Sequence, residues 1–286
     1  MTNLSELSII RYMKYKWSKI LIYLILTFFT FIALAPILWL IMSSVKTQAD
    51  LFQNVWGIPK EFKFGNFIEA FQRSNMYYYM RNSLFVTGMT IIITLITSVP
   101  LAFGLARFKF KYNRAIYYTV IAGMMIPIHS AIIPLYVSAN SWGMLNNRFF
   151  LALIYAAFRI PVSVFILESF MKVIPKEMEE SAIIDGCNIW QLFSKIFVPM
   201  TKNGILSIIV LSVLATWNEL LVGLVMLTGN LLKTLPVGVI GFINEYASNY
   251  VLMIAGVVIA FLPNLLFYML LQNRIQKGVR MGALKG

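Results

Sequence analysis

The amino-acid sequence predicts an all-α, polytopic membrane protein with six transmembrane helices. Hydrophobic residues make up 59% of the chain and charged residues only 12%, a composition outside the usual range of soluble domains. Six apolar segments each approach or exceed the length of about 20 residues that an α-helix needs to cross the hydrocarbon core. No segment alternates polar and apolar residues as barrel strands do, and helices satisfy their own backbone groups in lipid. These observations favour a helical bundle.

The six apolar segments follow one another along the chain, with charged or turn-forming residues between them. The first is too long for a secretory signal peptide, and we interpret it as a retained span. Together the segments predict one transmembrane domain over residues 20–271, between a cytosolic N-terminal segment, 1–19, and a cytosolic C-terminal tail, 272–286. The predicted spans are residues 20–45, 83–106, 116–138, 149–171, 205–227 and 250–271.

The lysines and arginines predict the orientation of the spans, because these residues concentrate in cytosolic connections. Sixteen of the 24 fall in the N-terminal segment, the second and fourth connections and the tail, whereas seven fall on the opposite side. Both termini and the fourth connection, residues 172–202, are therefore predicted to be cytosolic. The outer loops are then residues 46–82, 139–148 and 228–249. The net charge of +13 reflects this topology, and the sequence contains no separate basic domain that would bind nucleic acid.

The fourth connection carries a charged, helix-forming pattern between two apolar spans. Pro175 suits the first turn of a helix, where its missing N–H costs nothing. The glutamates that follow, Glu177, Glu179 and Glu180, suit the positive end of the helix dipole. Gly186 then supplies a left-handed residue that ends the helix.

A second short helix is predicted directly after Gly186. Asn188 and Gln191 have the spacing of a capping box, and Pro199 ends the helix. Two amphipathic helices joined at a glycine indicate a docking surface, because they expose apolar residues unless a partner covers them. The alternative is a loop that packs against its own bundle. The apolar residues on one face of the second helix are Trp190, Phe193, Ile196 and Phe197.

The spacing of this connection resembles the EAA loop of ABC importer permeases. That pattern is E-A-A, three residues, Gly, nine residues and I-x-L-P; the chain has E-S-A, three residues, Gly186, nine residues and I-F-V-P. Ser181 and Val198 depart from the pattern but stay small or apolar. In the family this loop transmits the closure of a cytosolic ATPase to the spans. The resemblance implies these ATPase-coupling residues: Glu180, Ser181, Ala182, Asp185, Gly186, Ile196 and Pro199.

Further motifs extend the resemblance to the shorter, six-span second permease of maltose-type carbohydrate importers. The resemblance implies a type I ABC importer permease fold in a bacterial or archaeal cytoplasmic (inner) membrane. It also implies a second permease subunit in a heterodimer, a cytosolic ABC ATPase dimer, an extracytoplasmic substrate-binding protein and a saccharide substrate. The last outer loop would contact the binding protein through Gly238, Gly241 and Asn244. The motifs are residues 43–47, 66–71, 81–84, 106–110, 125–127, 133–136, 217–219, 234–238 and 278–286.

The scarcity of reactive residues narrows the function. The chain has one cysteine, Cys187, and one histidine, His129, which cannot form an internal disulfide or a usual zinc site. No phosphate-binding G-x-x-x-x-G-K-[ST] loop occurs in the sequence. We therefore expect no catalytic residue, no metal and no cofactor in this chain, and we expect ATP hydrolysis on a partner subunit.

Polar residues inside the spans are candidates for the translocation path or its gate. Arg159 and Glu219 lie at similar predicted depths, where a charge is costly unless it faces protein or water. They could pair as a structural contact between helices or contact the substrate, and Asn218 can hydrogen-bond in either case. A stripe of hydroxyl residues on the second span either lines the bundle interior or packs at a dry helix contact. Its candidate members are Thr87, Thr90 and Thr94.

Two other functions fit parts of this pattern. An ion-coupled secondary transporter would need titratable groups inside the membrane, for which Arg159 and Glu219 are the evident candidates. Such carriers often have inverted repeats, which the sequence does not display. An ABC importer for glycerol-phosphate or a polyol would carry much the same motifs as a sugar importer.

Overall fold

The computed structural model describes residues 4–245 and 248–283, with side chains over residues 19–243 and 248–269. Within that part of the chain the regular secondary structure is helical, without β-strands. Short 3₁₀ turns cover Gly123–Met125, Ile128–Ala131 and Asn230–Leu232, and a π-helical turn covers Leu192–Phe197. The α-helices are α1 (Leu4–Ser44), α2 (Gln48–Gln53), α3 (Gly65–Arg73), α4 (Met76–Arg107), α5 (Asn113–Ala122), α6 (Ile132–Ser141), α7 (Arg148–Lys172), α8 (Lys176–Ile184), α9 (Ile189–Gln191), α10 (Val198–Met200), α11 (Lys202–Trp217), α12 (Leu221–Met226), α13 (Leu235–Glu245) and α14 (Tyr250–Ala283).

The first of two compact units comprises Met1–Ala70 and Tyr246–Val258. The apolar part of α1 presents most of its large side chains outward, as expected of a helix that faces lipid. The first turns of α14 pack Val251 and Ile254 together with Leu51 of α2. These contacts form a small apolar core within the unit.

The second unit comprises Phe71–Glu245 and Ile259–Gly286, and its centre is the packed pair of helices α4 and α7. One apolar core lies at the C-terminal ends of both helices and includes Phe103 and Met171. Another lies nearer their N-terminal ends and includes Leu151. The helix pair therefore forms the scaffold on which the connections of this unit rest.

Four helices in the described part of the chain are long and apolar enough to cross a membrane. They are the Lys19–Ser44 part of α1, all of α4 and α7, and the Tyr250–Met269 part of α14. They correspond to the first, second, fourth and sixth predicted spans. Two bent helix pairs, Asn113–Met125 with Ile128–Ser141 and Ile189–Met200 with Lys202–Trp217, are also long and apolar enough to cross if each pair is one span, which makes up to six spans among the described residues. The second pair begins inside the connection of residues 172–202 that the sequence predicts to be cytosolic.

The third predicted span, residues 116–138, is not one straight helix. Its two halves, Asn113–Met125 and Ile128–Ser141, meet at 84°. Ile126 between them is extended, with φ −85° and ψ 108°, and Pro127 lacks the N–H that would continue the helix. The proline therefore breaks this segment.

The fifth predicted span, residues 205–227, is interrupted as well. Helix α11 ends at Trp217, and α12 follows after a short break. The carboxylate of Glu219 accepts hydrogen bonds from the amides of Val222 at 3.0 Å and Gly223 at 3.2 Å. The expectation of one continuous helix is wrong here. In a continuous helix these two amides would donate to backbone carbonyls one turn earlier, whereas here they donate to the Glu219 side chain.

Candidate functional site

The fourth connection forms helix α8, a left-handed glycine and a second helical segment, as the sequence predicts. Pro175 precedes α8, and Gly186 follows it with a φ of +84°. The amide of Gly186 donates to the Ile183 carbonyl at 3.0 Å, and the amide of Cys187 donates to the Ala182 carbonyl at 2.9 Å. These two bonds form a Schellman motif, which satisfies carbonyls at the end of α8.

The second helical segment begins with the predicted capping box. The Asn188 side chain accepts the Gln191 amide at 2.9 Å, and the Gln191 side chain accepts the Asn188 amide at 3.0 Å. The segment continues through the π-helical turn into α10, which contains Pro199, and it meets α11 at 69°. Because Pro199 has no N–H, the carbonyl of Lys195 lacks its usual helical donor. The sequence predicted a regular helix here and missed the π-helical turn.

The apolar side chains of both helices divide between the interior and the surface. Ala182 of α8 and Phe197 of the second segment are buried, whereas Ile184 is 85% exposed and Trp190 is 75% exposed. Trp190 and Phe197, which the sequence predicts on one face, therefore differ in burial, and the π-helical turn between them changes the helical register. We call the exposed group the apolar cap. Its members are Met178, Ile183, Ile184, Ile189 and Trp190.

The candidate coupling residues lie around this cap. Ala182 is buried and Ile196 half-buried, so both reach the apolar core at the ends of α4 and α7. Ser181 donates its hydroxyl to the Glu177 carbonyl at 2.7 Å. The remaining candidates are exposed, namely Glu180, Asp185, Gly186 and Pro199.

Arg107, the last residue of α4, connects three neighbouring segments. Its guanidinium donates to the carbonyls of Met171 at 2.8 Å and Ile174 at 2.6 Å, at the end of α7. It also lies 4.6 Å from the ring centre of Phe197 and 3.7 Å from the carboxylate of Glu179 in α8. Because a nearly buried guanidinium is stable only with such partners, Arg107 fixes α8 to the ends of the long helices.

Sequence patterns identified Arg107 only as a basic residue of the second connection and part of a short motif. Its carbonyl partners lie more than 60 residues further along the chain. No periodicity or spacing in the sequence links positions so far apart. Its structural role was therefore missed.

Glu219, in the break between α11 and α12, is held by Tyr155. The Tyr155 hydroxyl donates to the Glu219 carboxylate, which also caps α12. Arg159 lies one turn after Tyr155 and is half-buried, and within the described residues no ion pair joins it to Glu219. The sequence left open whether Arg159 and Glu219 pair with each other or contact the substrate. Their direct pairing is not found in this conformation.

Asn218 lies beside Glu219 and is bonded on both sides of its amide. It donates to the Leu214 carbonyl at 2.7 Å and accepts from the Asn264 amide at 2.7 Å. Polar groups at a break in an apolar helix are typical of transport paths in membrane proteins. A role in the path stays a prediction for Arg159, Asn218 and Glu219.

The hydroxyl stripe of α4 faces α7. Thr87, Thr90 and Thr94 are all buried, and the Thr90 hydroxyl lies 3.4 Å from the Ala152 carbonyl of α7. This packing matches the second interpretation of the stripe, a dry contact between two helices. A path-lining role for these residues is a prediction that concerns the assembled transporter.

The predicted last outer loop, residues 228–249, contains helix α13, which the sequence did not predict. Gly238 packs so closely on Tyr79 of α4 that a β-carbon added to it would lie 2.1 Å from the ring. A β-carbon on Gly241 would meet only the Lys233 amine, at 3.8 Å. Asn244 is also in α13, and its side chain lies outside the part of the chain that the structure describes.

Polar contacts hold the start of this loop to α4. The Asn82 amide donates to the Lys233 carbonyl at 2.9 Å, and the Ser83 hydroxyl accepts the Leu235 amide at 2.8 Å. Arg148 of α7 donates to the side-chain oxygen Oδ1 of Asn82. Helix α13 therefore starts from a fixed position on the long helices.

Residues 98–281 match the family of binding-protein-dependent transport system inner membrane components. The chain belongs to this family. It is 36% identical over 265 residues to the ABC transporter permease protein ORF2 of Caldicellulosiruptor sp., covering 92% of this chain and 96% of that protein. It is 31% identical over 263 residues to the diacetylchitobiose uptake system permease protein NgcG of Streptomyces coelicolor, covering 91% and 87%.

A solved structure shares the fold. It is a bacterial ABC transporter involved in the import of the acidic polysaccharide alginate, which matches with a TM-score of 0.77 and 22% identity. The match covers 90% of this chain and 96% of that chain. The predicted type I ABC importer permease fold is therefore confirmed. The matched family region contains α8, the apolar cap and the polar break of this permease.

Proposed function

We propose that this permease forms half of the translocation path of a binding-protein-dependent ABC importer for a sugar or oligosaccharide. It crosses the cytoplasmic membrane of a bacterium or archaeon six times, with both termini in the cytosol. Its partners are a second permease subunit, a cytosolic ABC ATPase dimer that hydrolyses ATP, and an extracytoplasmic substrate-binding protein.

The substrate class is supported by the relatives. The name of the Streptomyces permease specifies diacetylchitobiose, and the related solved transporter imports alginate. Both compounds are saccharides, although one is neutral and the other acidic. A saccharide is therefore the shared chemistry on which the proposal rests.

The apolar cap on α8 and the following segment is the observation that supports coupling to an ATPase. Ile184 and Trp190 are large and strongly exposed, and such a patch on the cytosolic side favours a protein partner. The base of the cap is anchored by Ala182 in the apolar core and by Arg107 at the helix ends. A force on the cap would therefore reach α4 and α7.

This arrangement suggests how ATP would drive transport. Closure of the two ATPase subunits would draw the caps of the two permeases together. Because α8 is joined to the long helices, each permease would then rock as a body from an inward-open to an outward-open state. A loaded binding protein would favour the outward-open state through its higher affinity for that state. Contacts to it would come from Gly241 and Asn244 on α13, a helix that Gly238 allows to pack on Tyr79 of α4. Path or gate contacts would come from Arg159, Asn218 and Glu219.

A matched pair of glycines tests the coupling role of α8. Gly186 follows α8 and Gly143 follows α6, with φ values of +84° and +66°, and a β-carbon on either meets nothing within 4 Å. Alanine at either position costs about 1 to 2 kcal/mol in left-handed backbone. We expect Gly186→Ala to lower uptake and substrate-stimulated ATPase activity at least about fivefold, and Gly143→Ala to change neither.

The activities are compared at equal amounts of assembled transporter in proteoliposomes. Equal losses in the two alanine variants would contradict coupling through α8, as would normal uptake in Glu180→Lys. Purification from the native membrane should recover an ABC ATPase and a second permease, identified by mass spectrometry. Uptake that continues after ATP depletion with the proton gradient maintained would support the ion-coupled carrier instead.

A further inference from the structure

An open cavity of about 860 Å³ lies beside the base of α8. Its wall is formed by the end of α4, the turn of residues 108–112, the start of α5 and one face of α8. The lining contains two glutamates, Glu179 and Glu180, so positive charge is in excess. The basic residues of the lining are Arg107, Lys109, Lys111, Arg114, Lys172 and Lys176.

Two of these cations are paired within the chain. Arg107 lies 3.7 Å from the Glu179 carboxylate, and Lys172 pairs with Glu168 one helical turn before it. The first pair joins α4 to α8 on two sides of the cavity. Neither pair neutralises the remaining basic side chains of the lining.

The other four cations of the cavity are exposed. Among the residues that the structure describes, no carboxylate lies within 4.0 Å of them; they are Lys109, Lys111, Arg114 and Lys176. The cavity therefore presents positive charge that no carboxylate of the described chain neutralises.

The turn between α4 and α5 has the character of a membrane-interface segment. Its aromatic residues are 41%, 45% and 61% exposed, and exposed aromatics beside lysines are typical of the headgroup level of a bilayer. The Asn113 side chain fixes the turn by donating to the Phe108 carbonyl at 2.7 Å. The alternating sequence is Phe108, Lys109, Phe110, Lys111, Tyr112.

We propose that this cavity binds the headgroup of an anionic phospholipid in the cytosolic leaflet. A phosphodiester group accepts charge-assisted hydrogen bonds from lysine and arginine, and basic pockets at the cytosolic ends of spans favour such lipids. The proposal rests on the proposed topology, which places the C-terminal ends of α4 and α7 at that interface. The headgroup would join Lys109 and Lys111 of the turn to Lys176 of α8, and it would hold the coupling helix against the spans.

The cavity borders the apolar cap at one residue only, Ile183 of α8. Ile184, Ile189 and Trp190 of the cap do not line it. An ATPase seated on the tip would therefore leave room for a lipid at the base. This separation favours a lipid over the ATPase as the occupant.

Lipid titration of the purified, delipidated transporter tests the proposal. Native mass spectrometry would count the bound phosphatidylglycerol and, separately, phosphatidylcholine. We expect a preference for phosphatidylglycerol that weakens about tenfold or more in Lys109→Gln/Lys111→Gln, since each lysine near an anionic surface contributes roughly a factor of five. The variant Lys109→Arg/Lys111→Arg should keep the preference, because it keeps the charge.

The matched control is Lys60→Gln/Lys63→Gln, which removes the same charge from two exposed lysines of the first outer loop. Equal phosphatidylglycerol affinity in the wild type and Lys109→Gln/Lys111→Gln would overturn the proposal. Displacement of the lipid by inorganic phosphate would identify a soluble phosphate site instead. Loss of the preference whenever the ATPase is bound would identify an ATPase contact. Lipid counting needs no transport activity, so a failed coupling test would leave this result interpretable.

Discussion

Individual side chains join the coupling helix to the spans. The last carbonyls of a helix have no intrahelical donors, and the guanidinium of Arg107 donates to Met171 in the last turn of α7 and to Ile174 just after it. The same side chain packs on Phe197 and approaches Glu179. Ala182 completes the junction from α8, where its small side chain fits into the core.

Replacing Arg107 with glutamine should destabilise this junction. Glutamine is shorter and uncharged, and it cannot reach both the Met171 and the Ile174 carbonyl, so we expect a loss of about 1 to 3 kcal/mol and a lower Tm. The measurement is thermal unfolding of the purified transporter. Arg81→Gln serves as the control, because Arg81 is exposed on the same helix. An unchanged Tm in Arg107→Gln would show that the junction does not depend on this side chain.

At the scale of helices, close packing sets the position of the last outer loop. Helix α13 can approach α4 because Gly238 has no side chain where the Tyr79 ring lies. The contacts of Asn82 and Ser83 hold the residues that lead into the helix. The loop is therefore positioned by α4 before any binding protein arrives.

A second pair of glycines tests this packing. Alanine at Gly238 would bring a β-carbon within 2.1 Å of the Tyr79 ring, whereas alanine at Gly241 would remain 3.8 Å from its nearest neighbour. We expect Gly238→Ala to cost about 1 to 3 kcal/mol through overpacking and to speed limited proteolysis of residues 228–249. Gly241→Ala should behave like the wild type. Equal proteolysis of both variants would contradict a fixed contact between α13 and α4.

At the scale of the whole molecule, the distribution of lysine and arginine predicts the topology. Four helices of the described chain are long enough to be spans, and two bent pairs raise the number to as many as six. With six spans, both termini lie on the same side as the coupling segment. The concentration of lysine and arginine on this side predicts that it faces the cytosol.

Cysteine labelling tests this topology. In a Cys187→Ser background, which has no other cysteine, Ile58→Cys and Val173→Cys each introduce one thiol at a position that is 71% or 63% exposed. A membrane-impermeant maleimide should label Ile58→Cys in intact spheroplasts and Val173→Cys only after permeabilisation. Labelling of both variants from the outside would refute the predicted orientation.

The sequence by itself determined the helical membrane class and, in the fourth connection, helix α8, its glycine stop and the capping box that follows. Each of these depends on composition or on residues within one or two helical turns, such as Asn188 and Gln191. The resemblance to ABC importer permeases also rests on local spacing, and the family match confirms it.

Only the tertiary structure decided which distant residues meet. Arg107 contacts carbonyls more than 60 residues away, and Tyr155 rather than Arg159 bonds to Glu219. The exposure of Trp190 beside the burial of Phe197 likewise depends on how the segment packs. Local sequence patterns do not encode these choices, because each one is set by the packing of helices that are far apart along the chain.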